Sequence, residues 1–250
     1  MGGYKDTDTG GAGYAFLTTQ WSLIEGVQSA QDKDGALIAA LLARYWKPVY
    51  WYLRRRGCDN EQAKDLTQGF FHEIVLNRGL LQRADRSKGR FRAFLRHALD
   101  QYLRNENTKA RARKRRPGGK RIPFDPADPP ALPQTICSMT PEDCYNYAWL
   151  SDLLEQVLTE VRTDCQSDGL QVHWQIFYER LVRPILEDFA PPSLQEVGQR
   201  CGVEEEKKVA NMLVTVKRRF QTALRRRVRN TVAREDEVDD EVQELLQYFA

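Results

Sequence analysis

The sequence predicts an all-α protein that consists of two helical domains joined by a proline-rich linker. Apolar residues recur at three- and four-residue steps along most of the 250 residues, and no long segment alternates strictly between apolar and polar residues. Pro117-Gly118-Gly119 is followed by five more prolines, the last of them Pro133. Because proline lacks a backbone N–H and favours extended chain, residues 117–139 are predicted to be the linker.

The N-terminal domain is predicted over residues 14–116, after a flexible N-terminus of residues 1–13. Residues 37–55 have helical apolar spacing, and a second helix follows Gly57 with Asn60 as its expected cap. After the polar stretch 83–89, a long helix carries an apolar inner face and ends in a basic run. The members of that inner face are Phe91, Phe94, Leu95, Ala98, Leu99, Tyr102 and Leu103.

The C-terminal domain is predicted over residues 140–232. It begins with a cap residue and a proline at the first helical position, Thr140-Pro141. Ser193 is expected to cap a short helix, and a Gly202-Val203 turn leads into a long helix. Residues 193–220 therefore form a helix-turn-helix pattern. Residues 233–250 are predicted to be an acidic C-terminal tail helix.

The formal net charge of +3 hides an uneven distribution of charge along the chain. Nine basic residues and one acid lie between Arg104 and Arg121, and seven basic residues and no acid lie between Lys217 and Arg229. These two blocks sum to +15, so the rest of the chain sums to −12. Two basic blocks, each at the end of a helical segment, favour a polyanionic partner such as nucleic acid over two merely solvated helix faces.

Several classes of protein are disfavoured by composition. No apolar run approaches the roughly 20 residues that cross a bilayer, and the first residues do not resemble a secretory signal, so we expect a cytoplasmic protein without membrane insertion. Five cysteines without a Cys-x-x-Cys pair and three widely separated histidines predict neither a metal site nor another cofactor. No nucleophile triad, phosphate loop or carboxylate pair indicates an enzyme.

Three segments resemble the extracytoplasmic-function sigma factors, the small initiation subunits of bacterial RNA polymerase. Residues 45–57 (YWKPVYWYLRRRG) and 63–71 (AKDLTQGFF) resemble sigma region 2.1 to 2.2, and residues 89–95 (GRFRAFL) with Asn105-Glu106 resemble regions 2.3 and 2.4. Residues 193–220 take the place of the region 4 helix-turn-helix. The long linker and the acidic tail are similar to a divergent branch of the family.

The resemblance implies that the helix after Gly57 binds core RNA polymerase. Its face opposite Ala63 is polar and is expected to carry one exposed ring. The residues expected to contact the polymerase are Asp65, Gln68, Phe71 and His72. In the alternative interpretation, Phe71 is a boundary core residue and Asp65 an ordinary surface acid.

The same resemblance assigns the loop before Gly89 and the outer face of the following helix to the minus-10 promoter element. There, cationic side chains would follow the phosphates while the loop forms a pocket for an unstacked base. The expected residues are Arg83, Lys88, Arg90, Arg92, Arg96, His97, Gln101, Arg104 and Asn105. In the alternative, Arg92 and Arg96 form ion pairs with Asp65, Asp85 or Asp100.

The second helix of the helix-turn-helix is expected to enter the major groove at the minus-35 element. Its expected contacts are Lys207, Lys208, Asn211, Thr215, Arg218 and Arg219, and Arg225 and Arg226 are candidates for phosphate or polymerase contacts. Glu204-Glu205-Glu206 departs from the family pattern, because three acids suit a helix N-terminus but repel phosphate. This departure leaves open which residues read the bases.

Three functional hypotheses follow. In the first, a sigma factor without enzymatic activity binds core RNA polymerase, double-stranded promoter DNA and the unpaired minus-10 strand, and an anti-sigma or other sequestering protein controls it. In the second, a helix-turn-helix regulator acts without the polymerase. In the third, the chain is an interaction module held by a regulatory partner. The segments around Asp65 and Gly89 favour the first hypothesis, since a repressor needs neither.

Overall fold

A computed structural model describes residues 20–29, 35–77, 79–113 and 138–246. Of these residues 83% are helical and none lies in a strand, which confirms the predicted all-α class. The predicted N-terminus of residues 1–13 and residues 117–137 of the predicted linker lie outside the described residues. The chain divides into two compact units, Met1–Ala131 with Asn230–Ala233 and Leu132–Arg229 with Arg234–Ala250.

The first unit contains four described α-helices, and they are α1 Gln20–Ser29, α2 Gly35–Arg55, α3 Asn60–Phe70 and α4 Phe91–Arg113. The cap of α3 is Asp59 and not Asn60, because a carboxylate oxygen of Asp59 accepts a hydrogen bond from the Gln62 N–H at 2.8 Å. A π-helical segment, Phe71–Asn77, continues α3 directly. Two short 3₁₀ turns, Leu81–Arg83 and Arg86–Lys88, precede α4.

Aromatic side chains dominate the core of the first unit. The rings of Trp21 and Tyr45 both meet Phe91 edge-on, at centroid distances of 6.0 and 5.4 Å. Phe70 of α3 contacts Tyr102 of α4 at 5.7 Å. Edge-to-face packing of this kind adds to the apolar area that each ring buries, so α1, α2, α3 and α4 are fixed to one another by ring contacts.

The second unit contains six described α-helices, and they are α5 Pro141–Ser167, α6 Gln171–Phe177, α7 Arg183–Leu186, α8 Leu194–Arg200, α9 Glu206–Arg229 and α10 Val238–Leu246. Thr140 caps α5 as predicted, since its hydroxyl accepts a hydrogen bond from the Asp143 N–H at 3.1 Å. A π-helical segment, Tyr178–Val182, connects α6 to α7. The predicted tail helix is present over Val238–Leu246.

The second unit is built around α9, which packs against α5, α6, α8 and α10. Under the predicted helix-turn-helix, Val197 of α8, Val209 of α9 and Ile176 of α6 form a fully buried cluster. The turn closes tightly over this cluster, because the Val203 N–H donates to the Gly198 carbonyl at 2.8 Å. Gly202 supplies the positive φ of 71° that the turn requires.

Gly198→Ala is expected to destabilise the second unit by about 1–3 kcal/mol, the usual cost of overpacking a tight contact. A Cβ atom at position 198 would lie 2.5 Å from the Val203 carbonyl oxygen and 2.9 Å from Val209 Cγ2. The measurement is chemical denaturation followed by circular dichroism. Gln199→Ala, at the exposed next position, is the control and should change the free energy of unfolding little. Equal effects of the two substitutions would contradict the prediction.

Candidate nucleic-acid interface

A cleft of about 250 Å³ opens between the π-helical segment Phe71–Asn77, the Leu80–Arg83 loop and α4. Its apolar lining comes from Ile74, Leu80, Phe94, Ala98 and Tyr102. Its polar lining consists of Arg83, His97, Gln101 and Asn105. All four of these polar residues were predicted from the sequence to meet the minus-10 strand, and the fold brings them together around one cavity.

The loop beside this cleft is held in place by hydrogen bonds to its backbone. The Gln28 amide of α1 donates to the carbonyl oxygens of Leu81 and Ala84, at 2.7 and 3.0 Å. Asp85 caps the second 3₁₀ turn by accepting from the Ser87 hydroxyl at 2.7 Å and from the Ser87 N–H at 2.9 Å. These bonds, led by the hydroxyl, lower the pKa of Asp85. These hydrogen bonds fix the shape of the loop beside the cleft.

The other residues predicted to meet the minus-10 strand divide by exposure. Lys88 and Arg104 are exposed, while Arg90 and Arg96 are half-buried. Asp85 and Asp100, which the sequence offered as ion-pair partners for Arg92 or Arg96, pair with Lys88 at 3.6 Å and with Arg56 at 3.2 Å.

The placement of Arg92 on the outer face of the helix was wrong. Arg92 is only 3% exposed, so it cannot contact DNA from this position. The reason is register: Arg92 precedes Leu95 by three residues and Leu99 by seven, which puts it on the same face of α4 as those core leucines. The helical spacing of Arg92 to these leucines indicates burial, and it is a stronger signal here than the positive charge of the side chain.

The α3 face also differs from the prediction at one residue. Asp65 and His72 are exposed and Gln68 is half-buried, as expected for a polar face. Phe71, predicted as an exposed ring, is 6% exposed and packs on Phe70 with ring centroids 5.4 Å apart. The helix changes from α to π hydrogen bonding at Phe71, so the regular α-helical phase used for the prediction ends there.

The helix-turn-helix presents a polar face on α9. Five of the six residues predicted for the minus-35 element are exposed, and these are Lys207, Lys208, Asn211, Thr215 and Arg218. Their outward placement follows from Val209 and Val216, which face the core. Arg219 is half-buried and pairs with Asp168 at 2.7 Å, and this hydrogen bond raises the pKa of its guanidinium. Glu204, Glu205 and Glu206 are exposed at the start of α9.

The basic block at the C-terminal half of α9 is extensively paired with acids, which sequence reasoning missed. Glu160 of α5 receives both Arg226 and Arg227, and Arg227 also donates to Gln156 at 2.9 Å. The α9 residues Arg225 and Arg229 pair with Asp239 and Glu235 of the C-terminal segment. The seven acids of residues 235–244 were visible in the sequence, but their partners depend on the tertiary packing.

No protein-family model, curated protein or solved structure matches this chain. Among the residues that the structure describes, no group of histidine, cysteine and carboxylate side chains could hold a metal ion. No helix in the described ranges is both long enough and apolar enough to cross a membrane. The candidate interface therefore rests on its own geometry.

Ser193→Ala is expected to lower the free energy of unfolding of the second unit by about 1 kcal/mol, the typical value of a helix cap. Ser193 and Glu196 form a reciprocal capping box: the Ser193 hydroxyl accepts from the Glu196 N–H at 3.2 Å, and the Ser193 N–H donates to the Glu196 carboxylate at 2.7 Å. The measurement is denaturation at neutral pH.

The same capping box predicts a pH dependence. Hydrogen bonds from the Ser193 N–H and then its hydroxyl lower the pKa of Glu196, so the box contributes stability above the unfolded pKa of about 4.3. This contribution is lost as the pH falls through the lower folded pKa. Glu196→Gln, which keeps a capping side chain, should reduce the loss of stability between neutral and acidic pH. An unchanged pH profile would contradict the assignment.

Proposed function

We propose that the protein is a sigma factor that binds core RNA polymerase, directs it to specific promoters and nucleates DNA opening. It carries out no chemistry of its own. The first unit binds the polymerase and the minus-10 element, and the second unit binds the minus-35 element. A sequestering partner that covers these faces would control it.

The observation that carries the proposal is the cleft beside α4. Its volume of about 250 Å³ is below the roughly 300–1,000 Å³ of sites for larger small molecules, and it suits one planar base. Phe94 and Tyr102 supply aromatic lining for such a base, while Gln101 and Asn105 can hydrogen-bond to its edge. Arg83 at the rim supplies a positive charge for the adjacent phosphate.

The exposed face of α9 supports duplex recognition by the second unit. Lys207 and Lys208 lie in the first turn, and Asn211 follows on the exposed surface. Asparagine can pair in bidentate fashion with adenine in the major groove, and lysine can contact guanine or phosphate. The three glutamates before them repel the backbone, so we place the DNA contact from Lys207 onward.

The polar face of α3 is the proposed polymerase contact. It consists of Asp65 and Gln68 of α3 and of His72 in the π-helical segment that continues α3, without Phe71, whose ring is buried. A face of this kind suits charge-complementary association in which polar groups fix the register. The second candidate function is a helix-turn-helix regulator that acts alone. Such a regulator has no evident use for the α3 surface. The complete helix-turn-helix of the second unit supports that candidate equally well.

Binding to core polymerase separates the two functions. The purified protein should co-elute with bacterial core polymerase and yield a discrete run-off transcript from its own promoter. Asp65→Ala with His72→Ala should weaken the complex at least tenfold, about 1.4 kcal/mol, because two contact residues are lost. Glu155→Ala with Gln175→Ala, which alters exposed residues of the second unit, is the control. Absence of any complex with the polymerase would exclude the sigma factor and leave the regulator that acts alone and the interaction module.

Substitutions in the cleft test promoter opening. Gln101→Ala with Asn105→Ala should keep polymerase binding but reduce the permanganate reactivity of unpaired minus-10 thymines about tenfold, since the captured base loses its hydrogen bonds. Asn107→Ala with Thr108→Ala, also exposed on α4 but outside the cleft, is the matched control. Opening at the wild-type level in the cleft variant would refute the role of the cleft.

A further inference from the structure

Two arginines near the end of α9 form an exposed cationic edge. Arg225 and Arg229 are four residues apart and therefore lie on the same side of the helix. Their side chains remain 60% and 63% exposed although each already forms an ion pair. Asp239 lies 2.5 Å from Arg225, and Glu235 lies 2.5 Å from Arg229. Two carboxylates of one segment thus pair with the two arginines of this helix edge.

The neighbouring arginines have a different role. Arg227 is only 9% exposed and donates to Glu160 at 2.6 and 3.0 Å, which makes it part of the contact between α9 and α5. Arg226 is tied to the same carboxylate. A ligand at the surface can therefore bind Arg225 and Arg229 without disrupting the contact between α9 and α5, whereas binding to Arg227 would break that contact.

The C-terminal segment is held in place by packing as well as by charge. Helix α10 packs against α9, and Val238 at its start is 5% exposed. The two ion pairs themselves lie at the surface, where such pairs contribute little and are screened by salt. The apolar contact thus positions the carboxylates, while the ion pairs remain weak enough to exchange for another anion.

We propose that Arg225 and Arg229 are a binding edge for the phosphate backbone of duplex DNA, and that the acidic segment 235–244 occupies this edge in the free protein. Guanidinium groups bind carboxylate and phosphate oxygens through the same charge-assisted hydrogen bonds. The carboxylates of the segment therefore take the positions that DNA phosphates would take. DNA must displace these carboxylates to use the edge. This inference rests on the duplex binding proposed for the second unit and does not require the polymerase.

Neutralising the two paired acids tests the competition. Glu235→Gln with Asp239→Asn should bind a short promoter duplex about three- to tenfold more tightly than the wild type in fluorescence anisotropy at fixed salt, because two surface pairs no longer need to break. The matched control is Asp236→Asn with Asp240→Asn, which changes the net charge equally. Asp236 pairs with Arg234, outside α9, and Asp240 is exposed. The control should show little of the gain.

Two further measurements locate the effect on this edge. Adding Arg225→Gln and Arg229→Gln to the neutralised protein should remove the gain, because the freed binding groups are then absent. In the wild-type protein, the amides of Val238–Leu246 should exchange hydrogen faster when duplex is saturating, since α10 loses the Asp239 contact to α9 and the turn before it loses the Glu235 contact.

The inference is overturned if the control variant gains as much as the paired-acid variant, or if neither protein gains and exchange in α10 is unchanged by duplex. These outcomes are distinguishable from failure of the proposed function, which is decided by core polymerase binding. Displacement of the segment without polymerase binding would support the edge and indicate a regulator that acts alone. Polymerase binding without displacement would remove only the inference about the edge.

Discussion

The second unit depends on burying one side of the strongly cationic helix α9 against α5. Arg227 faces that contact, and an unpaired guanidinium at this depth would cost several kcal/mol. The Glu160 carboxylate accepts from Arg227 and also pairs with Arg226, while Gln156 accepts from the remaining guanidinium nitrogen. With this charge satisfied, α9 can pack its apolar side against α5, α6 and α8 and keep the polar face of its N-terminal half in solvent.

Some of the acids that offset the concentrated positive charge of this chain, and bring its net charge to +3, lie directly beside that charge in the fold. Within Lys217–Arg229, the structure pairs five of the seven cations with acids, and they are Arg219, Arg225, Arg226, Arg227 and Arg229. Lys217 and Arg218 have no acidic partner among the described residues and remain exposed. A count of charges therefore overstates how much of the basic block is immediately available to a polyanion.

In the first unit, aromatic packing positions the polar groups of the cleft. Phe91 and Tyr102 fix α4 against the core, so the next face of the helix places His97, Gln101 and Asn105 side by side. The π-helical segment contributes Ile74 to the same cavity. Because π-helical turns are unusual and often occur at functional sites, their presence here agrees with the binding role proposed for the cleft.

The sequence alone determined the helical class, the caps at Thr140 and Ser193, the helix-turn-helix elements and most of the exposed polar face, because these depend on local periodicity and capping chemistry. The cleft residues were also predictable, although their convergence on one cavity was not. Only the tertiary structure decided that Phe71 is buried and that Arg225 and Arg229 face carboxylates. Hydrogen-bonding phase and long-range ion pairing set those outcomes, since both depend on how distant segments pack and neither leaves a local pattern strong enough to outweigh residue type.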